Sequence, residues 1–264
     1  MKNLKTGIRL SVIISFLAMI LVNVLAETIP INGMTTGQVS ALYPNLFTPA
    51  NYTFSIWMLI YLLLAGYVLY QAGLFHKNSS SHASLCNTVG VYFSVSCLFN
   101  ICWILAWHYE MIAICLIIIV VLMVCVLQIV QIVREKSLTL KESFFLKLPF
   151  SVYFAWLTIA VIGNMTVYLV SLEWDGFNKI EPIWTIVVLL AGLAIGLKEV
   201  LKNNDATFGF VYIWSYTGIL VKHVSSSGFN GQYPGIITVL IVSIILFVPS
   251  SVYVFITSLK RRHK

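Results

Sequence analysis

Eight long stretches of this 264-residue chain contain no Asp, Glu, Lys or Arg, and the 16 basic and 9 acidic residues all lie between or beyond them. The stretches are Leu10–Ala26, Tyr52–Phe75, Val89–Trp107, Met111–Val133, Leu148–Leu172, Pro182–Leu197, Ala206–Val221 and Pro234–Leu259. A helix that crosses the hydrocarbon core of a bilayer needs about 17–25 mostly apolar residues. Most of the eight reach that length. Pro182–Leu197 and Ala206–Val221 are shorter and need little tilt or a locally thinner bilayer. The chain is 59% hydrophobic and 9% charged, against about 25% charged in an ordinary soluble domain. No soluble core could absorb so much apolar surface. The fold class expected is all-α, a polytopic membrane helical bundle of about eight transmembrane helices with no soluble domain.

Lys and Arg concentrate in cytoplasmic loops. Numbering the connections alternately puts Lys2, Lys5, Arg9, Lys77, Arg134, Lys136, Lys141, Lys147, Lys198, Lys202, Lys260, Arg261, Arg262 and Lys264 on one side. Only Lys179 and Lys222 fall on the other. An even number of crossings with both termini cytoplasmic follows, in a multi-pass protein of the cell membrane. The net charge of +7 then reports topology. A nucleic-acid partner would want basic residues clustered with reading side chains, and there is no such cluster. Lys2, Lys5 and Arg9 ahead of an apolar run ending Val24-Leu25-Ala26 also resemble a signal peptide, but the run is slightly long for one, and a retained first helix is expected.

Cys86, Cys97, Cys102, Cys115 and Cys125 avoid the outward loops, where oxidation would occur. They show no metal-type spacing with His and read as small buried residues. Pro49 precedes the second helix, while Pro149, Pro182 and Pro234 open the fifth, sixth and eighth, where a missing N–H costs nothing. His108-Tyr109-Glu110 joins the third and fourth helices as a tight hairpin, read as solvated. The loop Arg134–Lys147 is charged and reads as solvated too. The outer loop 27–51 is the long connection; Thr35–Ser40 within it has the character of a short helical turn. Such a loop is either a lid or a plain connector.

Aromatic residues form belts at membrane interfaces; Trp107, Tyr109, Trp174 and Trp184, near helix ends, suit that role. Trp57, Trp103 and Trp156 sit deeper. On the third helix Asn100, Trp103 and Trp107 are spaced i, i+3, i+7 and share a face. On the fifth, Tyr153, Trp156, Ala160 and Asn164 do the same. On the second, Phe54, Trp57 and Tyr61 repeat the pattern. An Asn amide against lipid would leave its hydrogen-bonding groups unmet, so Asn100 and Asn164 should point inward. Two readings stand. The stripes are packing glue between helices, or they line a cavity whose ring faces and few polar groups suit a flat apolar ligand.

These residues resemble the TspO/MBR family, the tryptophan-rich sensory or translocator proteins. The family's third helix carries Asn-x-x-Trp, here Asn100-Ile101-Cys102-Trp103. Its fifth carries Tyr-x-x-Trp with Ala and Asn four and eight residues on, here Tyr153, Trp156, Ala160 and Asn164. Its first loop runs into an aromatic second helix, similar to Pro49–Trp57 with Tyr61. Tyr52 stands where the family usually has Trp, the Phe54–Trp57 interval is one residue shorter, and the Pro before Trp57 is missing. The resemblance covers roughly residues 8–172. It implies a five-helix TspO/MBR-like core over 1–172, with residues 173–264 adding three transmembrane helices to the same membrane domain. It also implies binding of a tetrapyrrole, porphyrin or sterol-like lipid beneath the first loop, in sensing or transport. Tyr52, Trp57, Asn100, Trp103, Tyr153, Trp156 and Asn164 would be the lining.

No acidic residue lies inside a stretch, no HExxH occurs, and all five His lie in loops or at helix ends. Hydrolytic, metal and haem-carrier chemistry therefore lack their parts. The protein is expected not to be an enzyme, with no catalytic or metal site and no cofactor beyond a tetrapyrrole bound as ligand. Membrane lipid and a hydrophobic small molecule are its expected partners. Gly192-Leu193-Ala194-Ile195-Gly196 allows close helix approach, within the chain or in a homodimer. The alternative function is a polytopic permease for a small solute, working without intramembrane coupling acids.

Overall fold

A computed structural model describes residues 6–74, 80–173 and 175–262. Lys2, Lys5, His76, Lys77, Trp174, His263 and Lys264 lie outside the described residues. Among those described there is no strand. Eight long helices follow in order: α1 (Thr6–Thr28), α3 (Ile56–Gln71), α4 (Ser80–His108), α5 (Ile112–Arg134), α7 (Leu148–Ser171), α8 (Asp175–Leu197), α9 (Ala206–Val224) and α10 (Pro234–Arg262). Two short helices sit in connections, α2 (Thr36–Ala41) in the outer loop and α6 (Leu140–Glu142) ahead of α7. Seven of the long helical segments are long and apolar enough to cross a membrane. The polytopic all-α bundle is thus the observed architecture.

Helices outrun their apolar stretches, because a helix satisfies its own backbone whether or not lipid surrounds it. α8 starts at Asp175, so Pro182 lies inside the helix and does not open it. The charged segment before α7 is not a free loop. A capping box of Thr139 and Glu142 starts α6. A π turn over Ser143–Lys147 then carries the chain into α7, with Leu146 buried. Similarly, Tyr52–Phe75 is not one helix: a 3₁₀ turn, Asn51–Ser55, precedes α3.

The chain forms two compact units. The first comprises Met1–Leu42 and Trp57–Phe154, the second Tyr43–Ile56 and Ala155–Lys264. In the first, α5 shows how the membrane helices sort their faces. Ile112, Cys115, Ile119, Leu122, Val126, Ile129 and Val133 are buried in alternating steps of three and four, the seam of a helix packed along its length. Ile114, Ile117, Val120 and Val124 are exposed and meet lipid. Deeper in the unit, Tyr67 of α3 packs edge-on against Phe93 and Phe150, at ring separations of 4.9 and 4.8 Å. Gln71 Nε2 donates to the Cys86 carbonyl at 2.8 Å.

α9 is the long helix that composition does not mark as a span, and burial explains why. Phe208, Tyr212, Ser215, Tyr216 and Ile219 are all buried, so little of the helix has to satisfy lipid, and hydroxyls and rings can replace aliphatic residues. Its neighbours approach through glycines. A side chain at Gly209 would strike Ser251, one at Gly218 would strike Thr53, and one at Gly192 would strike Tyr216. Gly196 faces Phe247 and Tyr212. The Gly192–Gly196 stripe is therefore occupied within the chain. Tyr216 donates its O–H to the Leu189 carbonyl at 2.7 Å, and the Tyr212 and Thr158 hydroxyls bond at 2.8 Å.

Overpacking a filled core costs about 1–3 kcal/mol, and each kcal/mol shifts a thermal midpoint by about 2–4 °C at this size. Gly209→Ala is expected to lower the midpoint in detergent by several degrees. Gly163→Ala, on α7 where a Cβ meets nothing within 4 Å, should leave it unchanged or raise it slightly. Equal midpoints for the two variants would contradict the packing described for α9.

Candidate functional site

Four large rings of the first unit stand in a row. Trp57 and Tyr61 are one turn apart on α3, with centroids 5.6 Å apart and planes at 28°. Trp103 and Trp107 repeat this on α4 at 5.7 Å and 23°. Trp57 and Trp103 join the two pairs across the helices at 6.4 Å and 27°. Tyr153, from the start of α7, meets Trp57 edge-on at 6.1 Å. These are the separations at which aromatic pairs attract beyond simple area burial. Trp57 is partly buried; Trp103, Trp107 and Tyr153 are buried.

Beside the rings runs a chain of polar side chains. Tyr61 donates its O–H to Asn23 Oδ1 at 2.8 Å. Asn23 Nδ2 donates to the Met19 carbonyl at 2.9 Å and to Asn100 Oδ1 at 2.8 Å. Asn100 Nδ2 reaches the Tyr153 hydroxyl at 3.4 Å. The inward amide expected of Asn100 is met by its complete burial.

The outer loop covers the far end of the row. Trp107 donates its indole N–H to the Thr36 carbonyl at 3.1 Å. Thr35 and Gln38 form a capping box that starts α2 here. His108 is fully buried, which corrects the reading of this hairpin as solvated. Its Nδ1 lies 3.0 Å from the Ile31 carbonyl, which can only accept, so Nδ1 carries the proton and donates. Its Nε2 lies 3.2 Å from Thr36 Oγ1, and its own carbonyl accepts from Asn32 Nδ2 at 3.0 Å. Glu110 in the same turn is exposed and adopts φ 54°.

Of the seven expected residues, Trp57, Asn100, Trp103 and Tyr153 come together in the first unit. Tyr52, Trp156 and Asn164 belong to the second. There Tyr52 is half exposed and stands edge-on to Trp214 at 5.5 Å. Trp156 meets Phe54 edge-on at 6.2 Å. Asn164 is buried and donates to the Ala160 carbonyl at 2.9 Å. Phe54 does not continue the Trp57–Tyr61 stripe, because it lies in the 3₁₀ turn and not on α3. Trp107 is buried within the row and so is not an interface anchor. Trp184 donates to Thr166 Oγ1 at 3.2 Å. Asn23 was missed, although its signal was visible: a lone amide in the apolar run Leu10–Ala26 has to find protein partners. Cys86, Cys97 and Cys115 are buried as expected; Cys102 is exposed.

The second unit holds its part of the outer loop at Leu46 and at Ala50, whose N–H donates to the Gly218 carbonyl at 3.0 Å. Asn45 Oδ1 accepts from the Phe47 and Thr48 amides, making a tight turn. Leu46 within it donates its N–H to Glu181 Oε1 at 2.7 Å, and its carbonyl accepts from His223 Nε2 at 2.9 Å. His223 is buried against the Phe229 ring at 4.8 Å, and its Nδ1 has no partner.

Helices long and apolar enough to cross a bilayer, with buried rings and amides shared among α1, α3, α4 and α7, define a membrane protein of the tryptophan-rich kind. A family model described as TSPO-like protein matches residues 9–253. The chain belongs to that family, and the match runs through α8 and α9 into α10, well beyond the five helices whose motifs carry the resemblance. No curated protein and no solved structure matches the chain.

Burial, opposed in part by the bond to Leu46, pushes the His223 imidazole below its ordinary 6.5. A folded-state value below the unfolded one means the contact's stability is present above about pH 6.5 and is lost as pH falls through the folded value. Amides of residues 43–48, corrected for intrinsic rate, should be protected from hydrogen exchange at pH 7.5 and lose protection toward pH 5. His223→Gln keeps a donor for Leu46 without titrating and should retain protection further into acid. Unchanged wild-type protection at both pH values would refute the expectation.

Proposed function

We propose that this protein binds a flat hydrophobic ligand, a tetrapyrrole or sterol-like lipid, along the aromatic row of its first unit. We place it in the cell membrane with both termini cytoplasmic, acting in sensing or transport and not as an enzyme. Membership of the TSPO-like family supports a membrane sensory or transport role. The 14-to-2 division of basic residues supports the orientation.

The observation that carries the ligand reading is the Tyr61–Trp57–Trp103–Trp107 row with an amide and a phenol beside it. Rings this close leave no slot for another between neighbours, so the ligand lies along the row. Trp57, partly buried, offers the approach. Asn100 and Tyr153 supply the polar contact that apolar sites use to fix orientation. Tyr52, Trp156 and Asn164 are outside this argument.

Titration of the purified protein with protoporphyrin IX should quench Trp fluorescence. Loss of one stacking ring is worth about 0.5–1.5 kcal/mol, so Trp103→Leu should weaken affinity about 2–10-fold. Trp214→Leu, in the second unit, should leave it unaltered. Saturable binding that Trp103→Leu does not change would remove the row from the site. Absence of binding together with solute flux in liposomes would favour a permease instead.

A further inference from the structure

We propose a second site, in the second unit: a corner open to the bilayer at mid-depth, formed by Tyr52, Ser55 and Trp214, that takes a neutral lipid-soluble ring with carbonyl oxygens at its rim, the chemistry of a quinone. It stands independently of the ligand reading of the aromatic row.

The argument starts from the path of the chain between residues 46 and 55. The Leu46 carbonyl accepts from His223, near the C-terminal end of α9. Ala50 donates its N–H to the Gly218 carbonyl at 3.0 Å. The Thr53 carbonyl accepts from Trp214 Nε1 at 2.9 Å. The segment therefore descends beside α9 from His223 to Trp214, about 13.5 Å of helix. Trp214 stands next to the midpoint of α9 (Ala206–Val224). Tyr212 and Tyr216, on either side of it in the chain, meet Phe247 at 5.3 and 5.8 Å. Phe247 stands next to the midpoint of α10 (Pro234–Arg262). Two long helices thus put this level at the middle of the apolar layer.

The backbone that arrives there is not α-helical. Thr48–Ala50 has no regular structure, and Asn51–Ser55 is the 3₁₀ turn. Non-helical backbone at membrane depth persists only where protein or a cavity takes up its polar groups. Thr53 is buried, and its carbonyl is spent on Trp214. Asn51, Tyr52 and Ser55 are exposed. Tyr52 and Ser55 are three residues apart, so in a 3₁₀ turn they share one face. Tyr52 stands edge-on to Trp214 at 5.5 Å and 83°, and the two rings, 45% and 38% exposed, make a corner. The rest of that α9 face is apolar: Phe210, Val221 and Val224 are exposed on it. A path for a polar solute would be lined otherwise, so the corner opens to acyl chains.

The chemistry of the corner selects its ligand. Trp214 has spent its N–H and offers a ring face. Tyr52 and Ser55 offer hydroxyls, from which an oxygen can accept. A charge at mid-depth is costly, which removes carboxylates and phosphates. A neutral flat ring bearing carbonyls lies against Trp214, accepts from Tyr52 and dissolves in hydrocarbon.

Menadione, a naphthoquinone, and 2-methylnaphthalene, the same ring without carbonyls, test this by equilibrium dialysis against the protein in nanodiscs, corrected for partition into empty nanodiscs. Menadione should bind saturably and about 2–10-fold tighter than 2-methylnaphthalene, the effect of one neutral hydrogen bond. Tyr52→Phe keeps the ring and removes only the O–H, so that ratio should fall toward one with 2-methylnaphthalene unaltered. Trp214→Leu should weaken both, and Trp103→Leu neither. Wild-type binding of both probes with equal affinity, or no saturable menadione binding, overturns the proposal. Menadione binding that Trp103→Leu weakens and Tyr52→Phe does not also overturns it, and moves the quinone to the aromatic row. Depth is read separately, from the Trp fluorescence lost in Trp214→Phe. Lipids brominated near the bilayer centre should quench that component more than lipids brominated near the headgroup; the reverse order overturns the proposal whatever the other variants do. The protoporphyrin IX titration tests the row by itself, so the two readings fail separately.

Discussion

In hydrocarbon there is no water to complete a hydrogen bond, so every amide and hydroxyl in a membrane helix must find its partner inside the protein. Backbone groups do this within the helix. Side chains do so only in part, as where Asn164 bonds the Ala160 carbonyl one turn back, and the search of the remaining groups for partners organises both units. Asn23 ties α1 to α4, Asn100 ties α4 to α7, and Tyr61 adds α3. In the second unit Tyr216 bonds the backbone of α8, and Tyr212 bonds Thr158. Outside the apolar stretches the same rule holds for the loop. His108 and His223 each turn a ring nitrogen to a loop carbonyl, fastening a segment that has little regular structure of its own.

The second constraint is that lipid is as apolar as the helix faces it touches, so hydrophobicity alone gives these helices little reason to associate. Close fit has to do it. Glycines at 192, 196, 209 and 218 bring backbone against Tyr216, Phe247, Ser251 and Thr53. The helix most enclosed by such contacts, α9, is the long helix that is not among the seven candidate spans, and it carries Tyr, Trp, Ser and Thr among its apolar residues. In the first unit, rings take the part that glycines take in the second. Tyr67 sits between Phe93 and Phe150, and the Trp57–Trp103 contact joins α3 to α4. The aromatic row is thus packing and candidate binding surface at once.

Much of this was legible in the chain, and the reasons are local. The α5 span follows from the charge-free, largely aliphatic run Met111–Val133. Asn100 had to point inward because of the cost of an amide in lipid. The short helical turn expected over Thr35–Ser40 is α2. Other features were hidden because they depend on groups distant in sequence. Trp107 reads as an interface anchor until the Thr36 carbonyl is seen to hold its N–H. His108 reads as a solvated turn residue until Ile31, Asn32 and Thr36 close around it. Phe54 looks like the first rung of the α3 stripe, but a 3₁₀ turn sets it on a different path.

The amino-acid sequence alone determined that the chain lives in a bilayer, how many long helices it forms, and that its buried amides face protein. Each of these follows from transfer energies and backbone bonding that act over a few residues. Tertiary structure alone decided which amide meets which, and therefore which way the hydrogens point along Tyr61, Asn23, Asn100 and Tyr153. That direction has a physical origin no spacing rule contains: one carbonyl of α1 can accept but not donate, and helix packing sets the Asn23 amide across from Asn100.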